Sequence, residues 1–172
     1  MNDRDASASP RPTGRLEATK DGRDLVLERA FRDSIDDVWA SITESERTAR
    51  WFASWTGEAG PGKTIRYRLE LEESKPEGDM RIDACEPPRH LAVSSIDEYG
   101  AWRLEAWLEH ADGSTTLRFV HHLDDGVDVG SVGPGWEYYL DALVASRDER
   151  ELPKFDDYYP AQQEYYEGLT PS

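Results

Sequence analysis

The stretch GPGWEYYLDALVASR, residues 133–147, decides the fold, because it predicts one long amphipathic helix near the end of the chain. Apolar side chains recur there every three or four residues, which places them on one face of a helix. They are Trp136, Tyr139, Leu140, Leu143 and Val144. Pro134 suits the first helical position, so the helix is expected to begin there. Of the predicted helices, only this one has enough apolar face to cover a sheet.

The chain before this helix alternates apolar and charged residues, as half-buried strands do. Ile65, Tyr67 and Leu69, for example, alternate with arginine and glutamate. The predicted strands are 16–19, 24–31, 65–71, 80–85, 91–95, 102–108 and 117–122, with two short helices between 34 and 50. Short connections favour an antiparallel meander with one buried face. The sequence therefore predicts an α+β fold: a curved antiparallel sheet of about six to seven strands around the long C-terminal helix, with two short helices after the first long strand.

The length of 172 residues is that of one domain with short tails. Residues 1–14 contain no apolar stretch and are expected to form a disordered N-terminal tail. Residues 15–150 are expected to form the domain, and residues 151–172 an extension that packs on it. We find neither a signal peptide nor a stretch of membrane-spanning length, and the single cysteine excludes an intrachain disulfide. These features favour a cytoplasmic location.

The chain is strongly acidic, with 36 acidic against 20 basic residues and a net charge of −16. A surface of this sign repels phosphate groups, which excludes nucleic acid and anionic membranes as expected partners. Solubility alone explains such a charge. The sequence leaves open a basic protein partner and a homodimer.

Six short motifs resemble one known family when they are taken in their order along the chain. They are Arg29-Ala30-Phe31, Asp37-Val38-Trp39, Trp51-Phe52, Cys85-Glu86-Pro87-Pro88, Gly113-Ser114-Thr115-Thr116-Leu117, and Gly135-Trp136 with Leu143. Over residues 24–148 the chain resembles the activator of heat shock protein 90 ATPase homologue group of the SRPBCC superfamily. The resemblance implies the helix-grip, or START-like, fold with a pocket for hydrophobic molecules. The eukaryotic co-chaperone has an additional N-terminal domain for which this chain is expected to have no room, so the group's name does not define its activity.

A set of mostly aromatic residues is expected to face inward and to form the ligand-binding wall of that pocket. It comprises Trp51, Trp55, Tyr67, Trp102, Phe119, His121, Trp136 and Tyr139. Plain core packing is the alternative for each of them. His121 shares a strand face with Leu117 and Phe119, which makes it the candidate acid or base; a hydrogen-bonded core histidine is the competing interpretation.

The remaining motifs indicate no further chemistry. His90 and His110 lie near strand ends and are expected at the surface, and Cys85 is expected to be a resting thiol. Asp124, Asp125 and Asp128 lack the glycine and glutamate spacing of a calcium loop. We therefore expect no metal and no cofactor.

Three functions remain open from the sequence. The leading hypothesis is a START-like binding protein that holds a small hydrophobic or aromatic ligand between sheet and helix. The second hypothesis is a cyclase-, dehydratase- or hydrolase-type enzyme that uses the same pocket; the sequence favours it less than the first. The third is a chaperone cofactor or another protein-interaction module.

Overall fold

The computed structural model describes residues 10–97 and 100–172 of the chain. Two strands, β1 (Arg15–Thr19) and β2 (Gly22–Phe31), precede two short helices, α1 (Ile35–Thr43) and α2 (Ser45–Thr48). Six strands follow: β3 (Ala53–Thr56), β4 (Thr64–Leu69), β5 (Glu77–Glu86), β6 (His90–Asp97), β7 (Gly100–Ala111) and β8 (Ser114–Leu123). The long helix α3 (Val129–Arg147), a 3-10 turn (Phe155–Asp157) and a short helix α4 (Gln163–Glu167) complete the described elements.

The described strands form one antiparallel sheet in the order β1-β2-β8-β7-β6-β5-β4-β3. The order confirms the α+β helix-grip fold, since β2 pairs with β8 and the rest is a meander. The sheet has eight strands where the sequence predicts six to seven. The difference is β3, which pairs with β4 directly after the Trp51-Phe52 aromatic pair.

One face of the sheet packs on α3. Leu27 on β2 is the register partner of Phe119 on β8, and Leu104 on β7 is the partner of His121. Leu140 and Leu143 of α3 are buried in the same core. The apolar faces that strand alternation and helical spacing predict therefore pack against each other, at the interface that the sequence predicts.

The long helix begins earlier than expected. Asp128 is its N-cap, and the carboxylate accepts a hydrogen bond from the Gly130 amide at 3.0 Å. Pro134 therefore lies inside α3 rather than at its first position, and the helix lacks the backbone bond that residue 134 would donate. The sequence pattern missed the first turn because two glycines near it suggest a loop.

Residues at both ends of the described chain pack against the outer side of α3. The Glu137 carboxylate is 1% exposed and accepts hydrogen bonds from the amides of Thr13 and Gly14. It also accepts one from the Tyr166 hydroxyl, and Arg29 forms an ion pair with it at 2.8 Å. Thr13 and Gly14, which belong to the tail that the sequence predicts to be disordered, thus make defined hydrogen bonds, because a buried carboxylate requires donors. Residues 1–9 lie outside the described residues.

The opposite face of the sheet carries a chain of hydrogen bonds between carboxylates and imidazoles. His90 lies between Glu86 at 3.0 Å and Glu105 at 2.7 Å, and His122 lies between Glu105 at 2.5 Å and Asp24 at 2.7 Å. The surface prediction for His90 is therefore wrong. The residue is 9% exposed, and its ring stacks on Trp107 with 3.6 Å between the ring centroids.

Arginines on this face pair with acidic neighbours, as their strand positions indicate. Arg66 contacts Asp79 at 3.2 Å, and Arg118 contacts Glu17 at 3.0 Å. Among the helices of the described residues, none is long and apolar enough to cross a membrane.

Candidate functional site

Two adjoining cavities lie between the sheet and the helices. The inner cavity has a volume of about 270 Å³ and lies beneath α1, α2 and the loop between β3 and β4. The outer cavity has a volume of about 390 Å³ and lies between β4, β6, β7 and the first half of α3. Five residues border both of them: Phe52, Tyr67, Met80, Leu104 and Trp136. The two cavities therefore form one site with a partition of side chains.

The wall of the inner cavity is apolar because its polar groups are bonded elsewhere. The indole N–H of Trp51 donates to the Ser41 carbonyl at 2.9 Å, and that of Trp55 donates to the Thr43 carbonyl at 3.0 Å. Both carbonyls belong to the last turn of α1, where the helix itself leaves such acceptors without a partner. The end of α1 therefore fixes both rings at the cavity and satisfies their polar atoms.

Two threonines and one glutamate at the inner cavity are also engaged. The Thr43 hydroxyl donates to the Trp39 carbonyl at 2.7 Å, and the Thr48 hydroxyl donates to the Ser45 carbonyl at 3.3 Å. Glu105 borders the cavity, yet its carboxylate is bonded to the histidines on the opposite face of the sheet. Apolar contact is thus the main interaction that this wall offers.

Trp136 is the central residue of the partition. Its ring packs on Phe119 and on Phe52, with centroid distances of 4.4 and 5.8 Å. Its indole N–H donates to Nδ1 of His121 at 3.0 Å. The ring is 6% exposed, so it is held in place by contacts on several sides.

The outer cavity combines aromatic rings with one carboxylate. Trp102 and Tyr139 border it, and the Tyr139 hydroxyl donates to Oε2 of Glu72 at 2.9 Å. Burial, together with the negative charge of Glu72, raises the pKa of Tyr139. Tyr139 is therefore a neutral hydrogen-bond donor, and Glu72 supplies the negative charge at this end of the site.

His121 lies behind the cavity wall. Its ring is 3% exposed, stacks on Trp102 at 5.0 Å and accepts the Trp136 indole N–H. Burial, with smaller contributions from the charges of His122 and Arg103, lowers the pKa of His121 to about 4. A neutral ring that accepts at Nδ1 carries its proton on Nε2. This geometry is that of the hydrogen-bonded core histidine that the sequence leaves open, and His121 borders neither of the two cavities.

The structure brings the rest of the predicted wall together. Trp51, Trp55, Phe119, Tyr67 and Trp136 border the inner cavity, and Tyr67, Trp102, Trp136 and Tyr139 border the outer one. Phe52 was missed, although it follows Trp51 directly and its ring also contacts Tyr139 at 5.0 Å. Met80 was missed as well, although strand alternation places it on the inner face.

Two further features limit the chemistry of the site. Cys85 borders the inner cavity, and burial raises the pKa of its thiol. A raised pKa keeps the group protonated at neutral pH, and the thiol form is a poor nucleophile. No three or more histidine, cysteine or acidic side chains within 10–97 and 100–172 form a group that could hold a metal ion.

Solved structures of known proteins share this architecture. CalU16 from Micromonospora echinospora is 23% identical with a TM-score of 0.74, over 92% of this chain and 96% of that chain. The product of gene BPP1335 from Bordetella parapertussis is 22% identical with a TM-score of 0.70, over 96% of each chain. DynU16, from the dynemicin biosynthetic locus, is 18% identical with a TM-score of 0.66, over 80% of this chain and 50% of that chain. At these identities the likeness shows the fold.

The family comparison is more specific. No curated protein gave a match. The model of the family described as Activator of Hsp90 ATPase homolog 1-like protein matches residues 32–146, which is more than half of the chain. The matched segment runs from the end of β2 to the end of α3 and so contains both cavities. The chain therefore belongs to the Activator of Hsp90 ATPase homolog 1-like family, within the SRPBCC superfamily of helix-grip domains.

Proposed function

We propose that the protein binds a small hydrophobic or aromatic molecule in the inner cavity, with the outer cavity as the entrance. The observation that carries the proposal is the saturation of the polar groups at the inner wall. A buried water needs two to four polar partners. The indole N–H groups of the three tryptophans at this wall and the hydroxyls of Thr43 and Thr48 are already bonded within the protein, so the cavity suits an apolar guest better than water.

The size and composition of the site agree with this function. Small-molecule sites are mostly apolar cavities of about 300–1,000 Å³ with a few polar groups at defined positions. The inner cavity, at about 270 Å³, is slightly smaller than this range, and the adjoining outer cavity of about 390 Å³ brings the whole site within it. The rings at its wall are fixed by hydrogen bonds to α1, which keeps the site preformed.

The enzyme alternative is less well supported by the geometry. It requires an acid or base at the inner cavity, where the ligand is proposed to lie, and the sequence predicts His121 for that role. His121 lies behind Trp136 as a hydrogen-bond acceptor, and Cys85 is held as a thiol. The protein-interaction alternative remains a prediction from the acidic composition.

The single cysteine provides a direct test, because Cys85 lies at the wall of the proposed site. Saturation with 1-naphthylmethanol, a neutral aromatic probe, is expected to slow the alkylation of Cys85 by N-ethylmaleimide several-fold. The alkylation rate is followed by mass spectrometry of the intact protein. An unchanged rate, at a probe concentration where calorimetry shows binding, would place the probe elsewhere and contradict the proposal.

A pair of variants on strand β7 serves as the control. Ala106 borders the inner cavity, whereas Ala111 is exposed at the end of the same strand. Ala106→Phe is expected to fill the cavity and weaken binding of 1-naphthylmethanol, while Ala111→Phe leaves the binding unchanged. Equal affinities of the two variants would show that the probe does not occupy the inner cavity.

A further inference from the structure

The outer cavity has an uneven distribution of charge. Five aromatic rings border it, namely Phe52, Tyr67, Trp102, Trp136 and Tyr139. Glu72 is the one charged side chain among its described lining residues, and neither cavity has a lysine or arginine in that lining. Aromatic rings and a carboxylate are the two kinds of group that attract organic cations.

The charge of Glu72 is not neutralised by a basic neighbour within the part of the chain that the structure describes. Its side chain accepts the hydroxyl of Tyr139, and the nearby Lys75 pairs with Glu70 instead, at 3.5 Å. Burial and the charge of Glu72 both raise the pKa of the neighbouring Tyr138. Tyr139 donates one hydrogen bond, which leaves the carboxylate with further acceptor positions.

The partition between the cavities defines the shape of a suitable ligand. Trp136, Met80 and Phe52 border the apolar inner cavity on one side and the outer cavity with Glu72 on the other. A molecule that fills both has an apolar body and, at one end, a group that interacts with a carboxylate. An anionic group at that end would be repelled by the carboxylate of Glu72 and by the overall net charge of −16.

We propose that the site selects hydrophobic amines: the apolar body occupies the inner cavity, and the ammonium group lies in the outer cavity beside Glu72 and the aromatic rings. This inference rests on the proposed binding function and adds the ligand class. The ammonium donates hydrogen bonds to the carboxylate, and the rings stabilise its charge through cation–π contact. Because Glu72 is exposed to solvent, the electrostatic part of the affinity is modest.

Three probes with the same ring system and different head groups test the proposal. They are 1-naphthylmethylamine, a cation at pH 7, 1-naphthylmethanol, which is neutral, and 1-naphthoic acid, an anion at pH 7. Isothermal titration calorimetry of the full chain is expected to rank their affinities in that order. The amine is expected to bind roughly tenfold more tightly than the acid, since one is attracted and the other repelled by a partly screened charge.

Two variants and one matched control assign the preference to Glu72. Glu72→Gln is expected to reduce the amine-to-acid ratio to roughly threefold and to leave the affinity for the alcohol unchanged. Glu73→Gln changes the net charge by the same amount at a neighbouring exposed residue, and is expected to keep the full ratio. Tyr139→Phe removes the donor to Glu72 but keeps the ring, so amine binding is expected to be equal or tighter.

The outcomes separate this inference from the function on which it rests. If all three probes bind with equal affinity and protect Cys85 from alkylation, the binding function stands and the preference for amines is refuted. A ratio that Glu72→Gln leaves intact refutes the role of Glu72. If none of the probes binds, the binding function fails, and the inference fails with it.

Discussion

Two adjacent histidines on β8 are expected to affect stability in opposite directions as the pH changes. His121 faces the core, is 3% exposed and has a pKa lowered to about 4, mainly by burial. His122 faces the other side of the sheet. Burial alone would lower its pKa, but hydrogen bonds to Glu105 and Asp24 outweigh burial and raise it above the ordinary value of 6.5. The effect of His121 can be isolated by a single substitution.

The change is His121→Gln, which keeps a side-chain acceptor for the Trp136 indole N–H and removes the titration. In the unfolded chain His121 takes up a proton near pH 6.5, whereas in the folded protein it does so near pH 4. Protonation therefore favours the unfolded chain, and stability is lost as the pH falls from 6.5 towards 4. At about 1.36 kcal/mol for each pH unit between the two values, the loss approaches roughly 3 kcal/mol.

The assay is urea unfolding of the native chain and of His121→Gln at pH 7 and at pH 4.5. Many carboxylates also titrate in this interval, so the informative quantity is the difference between the two proteins. The native chain is expected to lose roughly 2 to 3 kcal/mol more than His121→Gln. His110→Gln, at an exposed histidine, controls for the substitution itself and is expected to follow the native chain. Equal losses in the native chain and His121→Gln would show that the buried ring does not resist protonation.

Three further predictions concern other contacts of the fold. Gly133→Ala places a Cβ 2.4 Å from the ring of Tyr166 and is expected to cost about 1–3 kcal/mol in urea unfolding, whereas Gly135→Ala, with open space around it, is neutral or stabilising. His122→Gln is expected to cost up to about 1 kcal/mol more at pH 6 than at pH 9, because the raised pKa stabilises the folded state below 6.5; an equal cost at both pH values contradicts this. Trp136→Phe removes the donor to a buried acceptor and is expected to cost roughly 1–3 kcal/mol at pH 7, so an unchanged unfolding midpoint would contradict the role given to that bond.

Periodicity in the sequence was sufficient for most of the fold, because strands and helices impose different repeats on their buried residues. It failed for very short elements and at helix ends, where a capping residue determines the first helical position. β3 has four residues, which is too few for alternation to be recognised. The first turn of α3 depends on Asp128, whose capping bond to Gly130 is a local detail within a glycine-containing segment.

The candidate site was accessible to the same reasoning as far as it depends on strand faces. Alternation and helical spacing place Phe119 and Trp136 on the inner face, and the structure places both at the inner cavity. Periodicity could not predict the hydrogen-bond partners of the polar side chains at the site, because these partners come from distant parts of the chain. Tyr139 and Glu72, for example, both border the outer cavity and lie 67 positions apart along the chain, and no local pattern indicates their hydrogen bond.

The cavity itself follows from how the aromatic rings are held. An apolar cavity persists only where the surrounding side chains cannot move in to fill it, and its energetic cost depends on how far they relax. Here the indole N–H groups of Trp51 and Trp55 donate hydrogen bonds to the end of α1, and that of Trp136 donates to His121. A ring that moved into the cavity would break its hydrogen bond and leave a buried carbonyl or imidazole acceptor without that partner. The aromatic content that builds this core therefore also prevents the core from closing, which is the property that a binding site requires.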